Sequence, residues 1–228
     1  MREIVFDTET TGLDPLKGDR IVEIGCIEIY NTIPTGETFH VYLDPERDMP
    51  EEAFRVHGLS REFLTGKPLF ASIVDDFLAF IGDARLVAHN AEFDMRFMNA
   101  ELERAGRSRI AASRIVDTLV LARRRHPGAS NSLDALCARY GVDASRRAKH
   151  GALLDSELLA EVYAELMGGR QAAMTLDQAT GPKMQTVMIE VGARPAALAP
   201  TLTPDEAEAH RAFVARLGEK AIWLKYQS

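Results

Sequence analysis

The chain has 228 residues, 46% of them hydrophobic, and a net charge of −7. That is enough for one domain of ordinary size plus an appendage, and the acidic balance argues against a protein that coats nucleic acid non-specifically. Cys26 and Cys137 sit in apolar patterns and form no disulfide framework, no apolar run could span a bilayer, and no charged leader precedes an apolar one, so a soluble cytoplasmic protein without a membrane partner is expected.

The apolar run Ile4-Val5-Phe6 predicts a first strand over 3–7. Arg20 to Tyr30 alternates Ile21, Glu23, Gly25, Ile27 and Ile29 against Val22, Ile24 and Cys26, and predicts a second. A third follows over 36–43, stopped by Asp44-Pro45. Short helices are expected at 51–56 and 60–65, and a longer one over 70–81. Arg85-Leu86-Val87-Ala88 predicts a fourth strand. Asn90 then suits the N-cap of a helix running to about Ala105, closed by Gly106. A short strand is expected at 114–116, then helices at 117–125, 132–140 and 152–167. Arg123-Arg124-Arg125 reads as an exposed helix end, where cations suit the dipole. This order predicts an α/β fold, a mixed five-stranded sheet flanked by helices, over residues 1–170.

The composition then shifts. Four of the ten prolines fall between 182 and 204, so 171–202 reads as a flexible linker. Thr203, Pro204 and Glu206 form the N-cap, first turn and capping box of a last helix. Ala209, Phe213 and Leu217 recur on one side of it, and Ala221-Ile222-Trp223-Leu224 follows. An apolar helix face and a Trp at the end of a tether read as a docking element spanning 203–228.

The chemistry lies in acids that a fold alone would not place together. Asp7-Thr8-Glu9-Thr10-Thr11-Gly12 ends the first strand, and the strand period of two turns Asp7 and Glu9 to one face. Two such carboxylates repel by roughly 3 kcal/mol at ~5 Å and an effective dielectric near 20. Divalent cations relieve that repulsion, because hard ions take oxygen ligands. In the helix after Asn90, Asp94 shares a stripe with Phe97, Met98 and Leu102; in the last domain helix, Asp155 stands in the same relation to Leu158, Leu159 and Val162. Each helix thus turns a carboxylate towards the core, where an unpaired one costs several kcal/mol. Together the four acids suggest a metal site. His150 lies five residues before Asp155 and is a candidate base for an attacking water.

With His89-Asn90-Ala91-Glu92-Phe93-Asp94 and His150-Gly151-Ala152-Leu153-Leu154-Asp155, the first motif resembles, in order and spacing, the three motifs of the DEDDh 3′→5′ exonucleases. The region 1–170 looks like a DnaQ-like proofreading domain. The resemblance implies an RNase H-like fold. It implies that Asp7, Glu9, Asp94 and Asp155 hold two divalent cations, Mg²⁺ or Mn²⁺, and that His150 is the general base. Two such ions can clamp the attacking and leaving oxygens of an in-line displacement. Thr8 and Thr10 could contact the terminal nucleotide, and Leu13 and Phe93 could wedge against a base. Val56-His57-Gly58-Leu59 resembles the family's substrate-side loop, which makes His57 either a nucleotide contact or an ordinary loop residue. Arg147, with Arg146 and Lys149, is either a solvated loop cation or a phosphate contact.

The tail bears on which member this is. Gln171-Ala172-Ala173-Met174-Thr175-Leu176 resembles the Gln-led peptide that binds a sliding clamp, with Gln171, Met174 and Leu176 as anchors and Leu176 where an aromatic is expected. Its alternative reading is linker. The last segment looks like the one that holds a proofreading subunit on its replicative polymerase, through Phe213, Leu217 and Trp223. The chain therefore resembles the epsilon-like exonuclease subunits of bacterial replicative polymerases, with DNA 3′ ends, the polymerase catalytic subunit and the clamp as expected partners. Two alternatives remain: a stand-alone DEDDh nuclease on DNA or small RNA, and a tethered module linking clamp and polymerase.

Overall fold

The computed structural model describes residues 1–145, 149–169, 202–218 and 222. Contacts divide the chain into a unit of Met1–Thr175 and a unit of Leu176–Ser228.

The first unit is built on strands β1 (Arg2–Thr10), β2 (Ile21–Tyr30), β3 (Ile33–Tyr42), β4 (Arg85–Ala88) and β5 (Ile115–Asp117). They form one sheet in the order β3-β2-β1-β4-β5. β1 pairs antiparallel with β2 and parallel with β4, so the sheet is mixed. β3 starts three residues before the sequence pattern suggests. The reason is the turn: Asn31 and Thr32 both take positive φ (51° and 66°), which gives a tight hairpin and carries the pairing back to Ile33.

Helices α1 (Glu51–His57), α2 (Arg61–Leu64), α3 (Phe70–Ile81), α4 (Ala91–Arg104), α5 (Thr118–Arg125), α6 (Leu133–Tyr140) and α7 (Ala152–Leu166) surround the sheet. Alternation along β1 sorts them into layers. Ile4 and Phe6 pack with α3 and α4, through Phe77, Phe97 and Met98. Val5 packs on the other face with Leu159, Ala160 and Tyr163 of α7. Beyond it, Leu158 and Val162 meet Leu136 and Cys137 of α6. The strand parity that buries Val5 against α7 also turns Asp7 and Glu9 to that face.

Asn90 does not cap α4 with its side chain. It adopts a left-handed conformation (φ 64°, ψ 48°), and its backbone N–H donates to Asp117 Oδ1 at 3.2 Å. Asparagine tolerates that region better than most residues, so it serves here as a turn residue. Asp117 caps α5, accepting from Leu119 N at 2.8 Å.

In the second unit, α8 (Pro204–Arg216) has the expected capping box between Thr203 and Glu206. Its buried residue is Val214, whereas Phe213 and Leu217 are 55% and 50% exposed. No described helix is long and apolar enough to cross a membrane.

Candidate active site

Asp7, Glu9, Asp94, Asp155 and His150 line one cavity of about 320 Å³ at the C-terminal ends of β1 and β4. Three separate stretches of chain deliver them, each for a local reason.

β1 supplies the pair. Asp7 stands opposite Gly25 of β2 and Glu9 opposite Glu23, after which the register slips. Gly25 is what lets α7 reach the sheet: a β-carbon there would meet Leu153 N at 2.2 Å and Ala152 C at 2.3 Å. Ser156 Oγ ties the same place together by donating to Gly25 O at 2.9 Å. Asp155, 3% exposed, is held one turn into α7 by this contact.

Asp94, also 3% exposed, is fixed from the other face of β1. Its Oδ1 accepts from Thr8 N at 3.1 Å and from Thr8 Oγ1 at 2.7 Å. Burial nevertheless pushes its carboxyl up to about 7, against the opposing pull of those bonds. A bound divalent cation would reverse that balance in favour of the charged form.

His150 precedes α7 in a stretch that rests on α1. Its N–H donates to Val56 O at 3.3 Å, and Lys149 Nζ lies 5.0 Å from the centre of the Phe54 ring. The imidazole Nδ1 is 3.2 Å from Asp155 Oδ2. Ligand-capable atoms of Glu9, His150 and Asp155 all lie within 4.8 Å of one another. A set dominated by carboxylates suits a hard divalent cation, so the residues fit the ion the motifs imply.

A second cavity, about 680 Å³, shares Thr8, Glu9 and Phe93 with the first and adds Thr10, Leu13, Val56 and His57. All five expected nucleotide contacts of the exonuclease domain outside the loop before His150 therefore line one space. His57 is no ordinary loop residue: it ends α1 and is 6% exposed. Its Nδ1 accepts from Leu59 N at 3.0 Å, so the neutral ring carries its proton on Nε2, which has no hydrogen-bond partner among the described residues. Burial pushes the imidazole below its ordinary value, which keeps that form near neutral pH.

Arg147 and the clamp-peptide residues Gln171, Met174 and Leu176 lie outside the described residues, as does Trp223. Asp134 and Ser132 also line the carboxylate cavity and were missed from sequence. An N-cap serine and a first-turn acid need no further explanation in a helix, so neither gave a signal.

The pattern of the exonuclease (RNase T) family matches residues 4–163. The chain belongs to this family. Its relatives extend the likeness past that region. The DNA polymerase III subunit epsilon of Rickettsia conorii is 50% identical over 222 residues, 95% of this chain and 96% of that protein. The subunit of the same name from Escherichia coli is 42% identical over 235 residues, 97% of each. Among solved structures, exonuclease X in complex with 5′ overhanging duplex DNA aligns at a TM-score of 0.57 and 23% identity, over 72% of this chain and 90% of that one. The nuclease domain of 3′hExo, a DEDDh family member bound to rAMP, aligns at 0.63 and 17%, over 73% and 91%. The mixed sheet with helices on both faces is thus the RNase H-like exonuclease fold, as the motifs imply, and the acids of the three motifs stand together at the C-terminal ends of β1 and β4.

Proposed function

We propose that this exonuclease is the proofreading subunit of a replicative DNA polymerase, removing mispaired 3′-terminal nucleotides as nucleoside monophosphates. One observation carries the reading: the four acids and His150 line a single cavity that opens onto a nucleotide-sized one. The relatives named as epsilon subunits match this chain through its tail as well as its domain, which supports assigning the whole chain, and a cytoplasmic site of action, to that role.

In this reading Asp7, Glu9, Asp94 and Asp155 hold two divalent cations, Mg²⁺ or Mn²⁺. The ions would supply charge neutralisation and an acidified water at the scissile phosphate. The chain's own residues do the rest. Thr8 fixes Asp94 through both its N–H and its hydroxyl. Thr10, Leu13, Phe93 and the Nε2–H of His57 receive the terminal nucleoside. His150 takes the proton of the attacking water, an exposed imidazole being suited to pass it to solvent. Residues 1–170 form the catalytic domain, 171–202 the linker and 203–228 the polymerase-docking segment. Gln171, Met174 and Leu176 would engage the clamp, and Arg147 the phosphate backbone. Phe213 and Leu217, both exposed, would join Trp223 against the polymerase.

Two experiments test this. A labelled primer with a mispaired 3′ end should lose one nucleotide at a time in Mg²⁺ or Mn²⁺ and none in chelator. The full chain should retain a large polymerase subunit from native lysate, and a variant with Phe213, Leu217 and Trp223 all changed to Ala should not. Hydrolysis without retention by either chain would favour a stand-alone nuclease. Retention without hydrolysis would leave an interaction module.

A further inference from the structure

Helix α1 is engaged on two sides. Ala53, Val56 and His57, at i, i+3 and i+4, share one face and line the nucleotide-sized cavity together with Glu52. The neighbouring face and the C-cap carry the stretch that bears His150. Val56 O accepts from His150 N at 3.3 Å. The Lys149 ammonium lies 5.0 Å from the centre of the Phe54 ring, and its stem crosses Gly58, where a β-carbon would meet Lys149 Cδ at 2.7 Å. Gly58 also takes φ 75°, so the position favours glycine on both counts.

α1 itself is lightly anchored. His57 is its one buried residue, and Pro50 gives its N-terminus no side-chain cap. Phe54 and Val56 are exposed. An element that buries so little apolar surface shifts locally at small cost. At the other end of the same stretch α7 is fixed: Gly25 admits its backbone, and Ser156 Oγ donates to Gly25 O at 2.9 Å. His150, itself exposed, therefore stands between one firm support and one light one.

We propose that α1 couples the seating of the substrate to the placement of the general base. A terminal nucleoside packed against Ala53, Val56 and His57 fixes α1. Through Val56 O and the Lys149 side chain, α1 then fixes the His150 imidazole beside Asp155. Lys149 is a positioning residue here, not a phosphate contact. The inference rests on the exonuclease reading above and on His150 as its base. It gives mismatch selection a step in kcat as well as in binding. A paired end that stays in its duplex leaves the cavity empty and His150 loosely held; a frayed end fills the cavity and completes the site.

Two measurements on the full chain test this. The first follows amide hydrogen exchange at His150 by NMR with thymidine as the probe, because a nucleoside fills the cavity and brings no phosphate to the carboxylates. Saturating thymidine should slow exchange of the His150 N–H about tenfold. Thymidine that seats, seen as shifts at Thr10 and Leu13, and leaves His150 unchanged would overturn the coupling. The second is kinetic. Lys149→Ala should lower kcat on a single-stranded oligodeoxynucleotide about tenfold with KM unchanged. Lys149→Arg should restore most of the loss, since arginine keeps both the stem and a cation over Phe54. A raised KM alone, or no change in either constant, would remove Lys149 from the coupling. Thymidine that shifts no cavity residue overturns the proposal if the unaltered chain still cleaves the oligonucleotide, and sinks the exonuclease reading itself if it does not.

Discussion

Asp94 and Asp155 enter the same cavity from two helices, equally buried, yet their supports differ. Asp94 is pinned to β1 by two hydrogen bonds from one residue, Thr8. Asp155 depends on how closely α7 can approach β2, and its near neighbour His150 comes from a stretch that leans on α1. One half of the site is therefore set by the sheet. The other is set by packing between elements far apart in sequence. This teaches that a carboxylate centre can combine a rigid anchor with a side whose position the surrounding structure adjusts.

The packed side should break most easily. Gly25→Ala puts a methyl group into the backbone of α7 and should cost about 3 kcal/mol or more, with activity abolished at any metal concentration. Thermal denaturation and single-turnover cleavage would measure both; a variant that melts and turns over like its parent would remove the packing account.

The anchored side should show its strain in the absence of metal. The Asp94 carboxyl is pushed up to about 7 in the fold, against an ordinary value of 3.8. Below that lower value both folded and unfolded forms are protonated, and no penalty exists. Between the two values the unfolded chain loses its proton first, so stability falls as pH rises, and above about 7 the full penalty applies. Asp94→Asn keeps an acceptor for Thr8. In chelator at pH 8 it should stabilise the domain on the order of 2–4 kcal/mol, a gain that shrinks towards pH 4, while destroying activity. A melting curve insensitive to this change at pH 8 would show that the carboxylate is already satisfied. Saturating Mg²⁺ should erase the difference or reverse it.

His150→Ala separates binding from turnover. It should retain metal affinity and lose roughly 10²–10⁴-fold in single-turnover rate. Loss of metal binding in a calorimetric titration would make His150 a ligand instead. The smallest effect belongs to its support: Phe54→Leu removes the ring under Lys149, worth about 0.5–1 kcal/mol at an exposed site. We expect a few-fold lower kcat with KM unchanged; a change in KM alone would place Phe54 in substrate binding.

The acids of both halves were legible in the sequence. A D-x-E after an apolar run and an inward Asp at i of an i+3, i+4 stripe are local patterns, and they located Asp7, Glu9, Asp94 and Asp155 without any contact map. The three motifs then carried His150 and the fold by resemblance. What stayed hidden is non-local. Gly25 reads as one more strand residue until α7 lies against it. His57 reads equally as a nucleotide contact or a loop residue; its burial and the Leu59 N–H that fixes its ring are not visible in the sequence. Asn90 has the composition of an N-cap but the backbone of a turn, because Asp117, twenty-seven residues away, takes its N–H. The β3 boundary moved because turn geometry, not side-chain alternation, decides where a hairpin begins.

Pairing between β1 and β2 slips just after Glu9, where Thr10 aligns with Ile21 rather than Val22. Up to that rung the strand shares the stability of the whole sheet. Past it the ladder gives way to irregular contacts: Thr11 N to Arg20 O at 2.9 Å, Arg20 N to Thr11 Oγ1 at 3.0 Å, Thr10 Oγ1 to Gly12 O at 2.6 Å, the carboxylate of Asp19 on Asp14 N at 3.0 Å, and Arg96 Nη2 to Leu13 O at 3.2 Å. The wall around the nucleotide-sized cavity is thus set by side-chain and turn contacts rather than by the sheet ladder that carries Asp7 and Glu9.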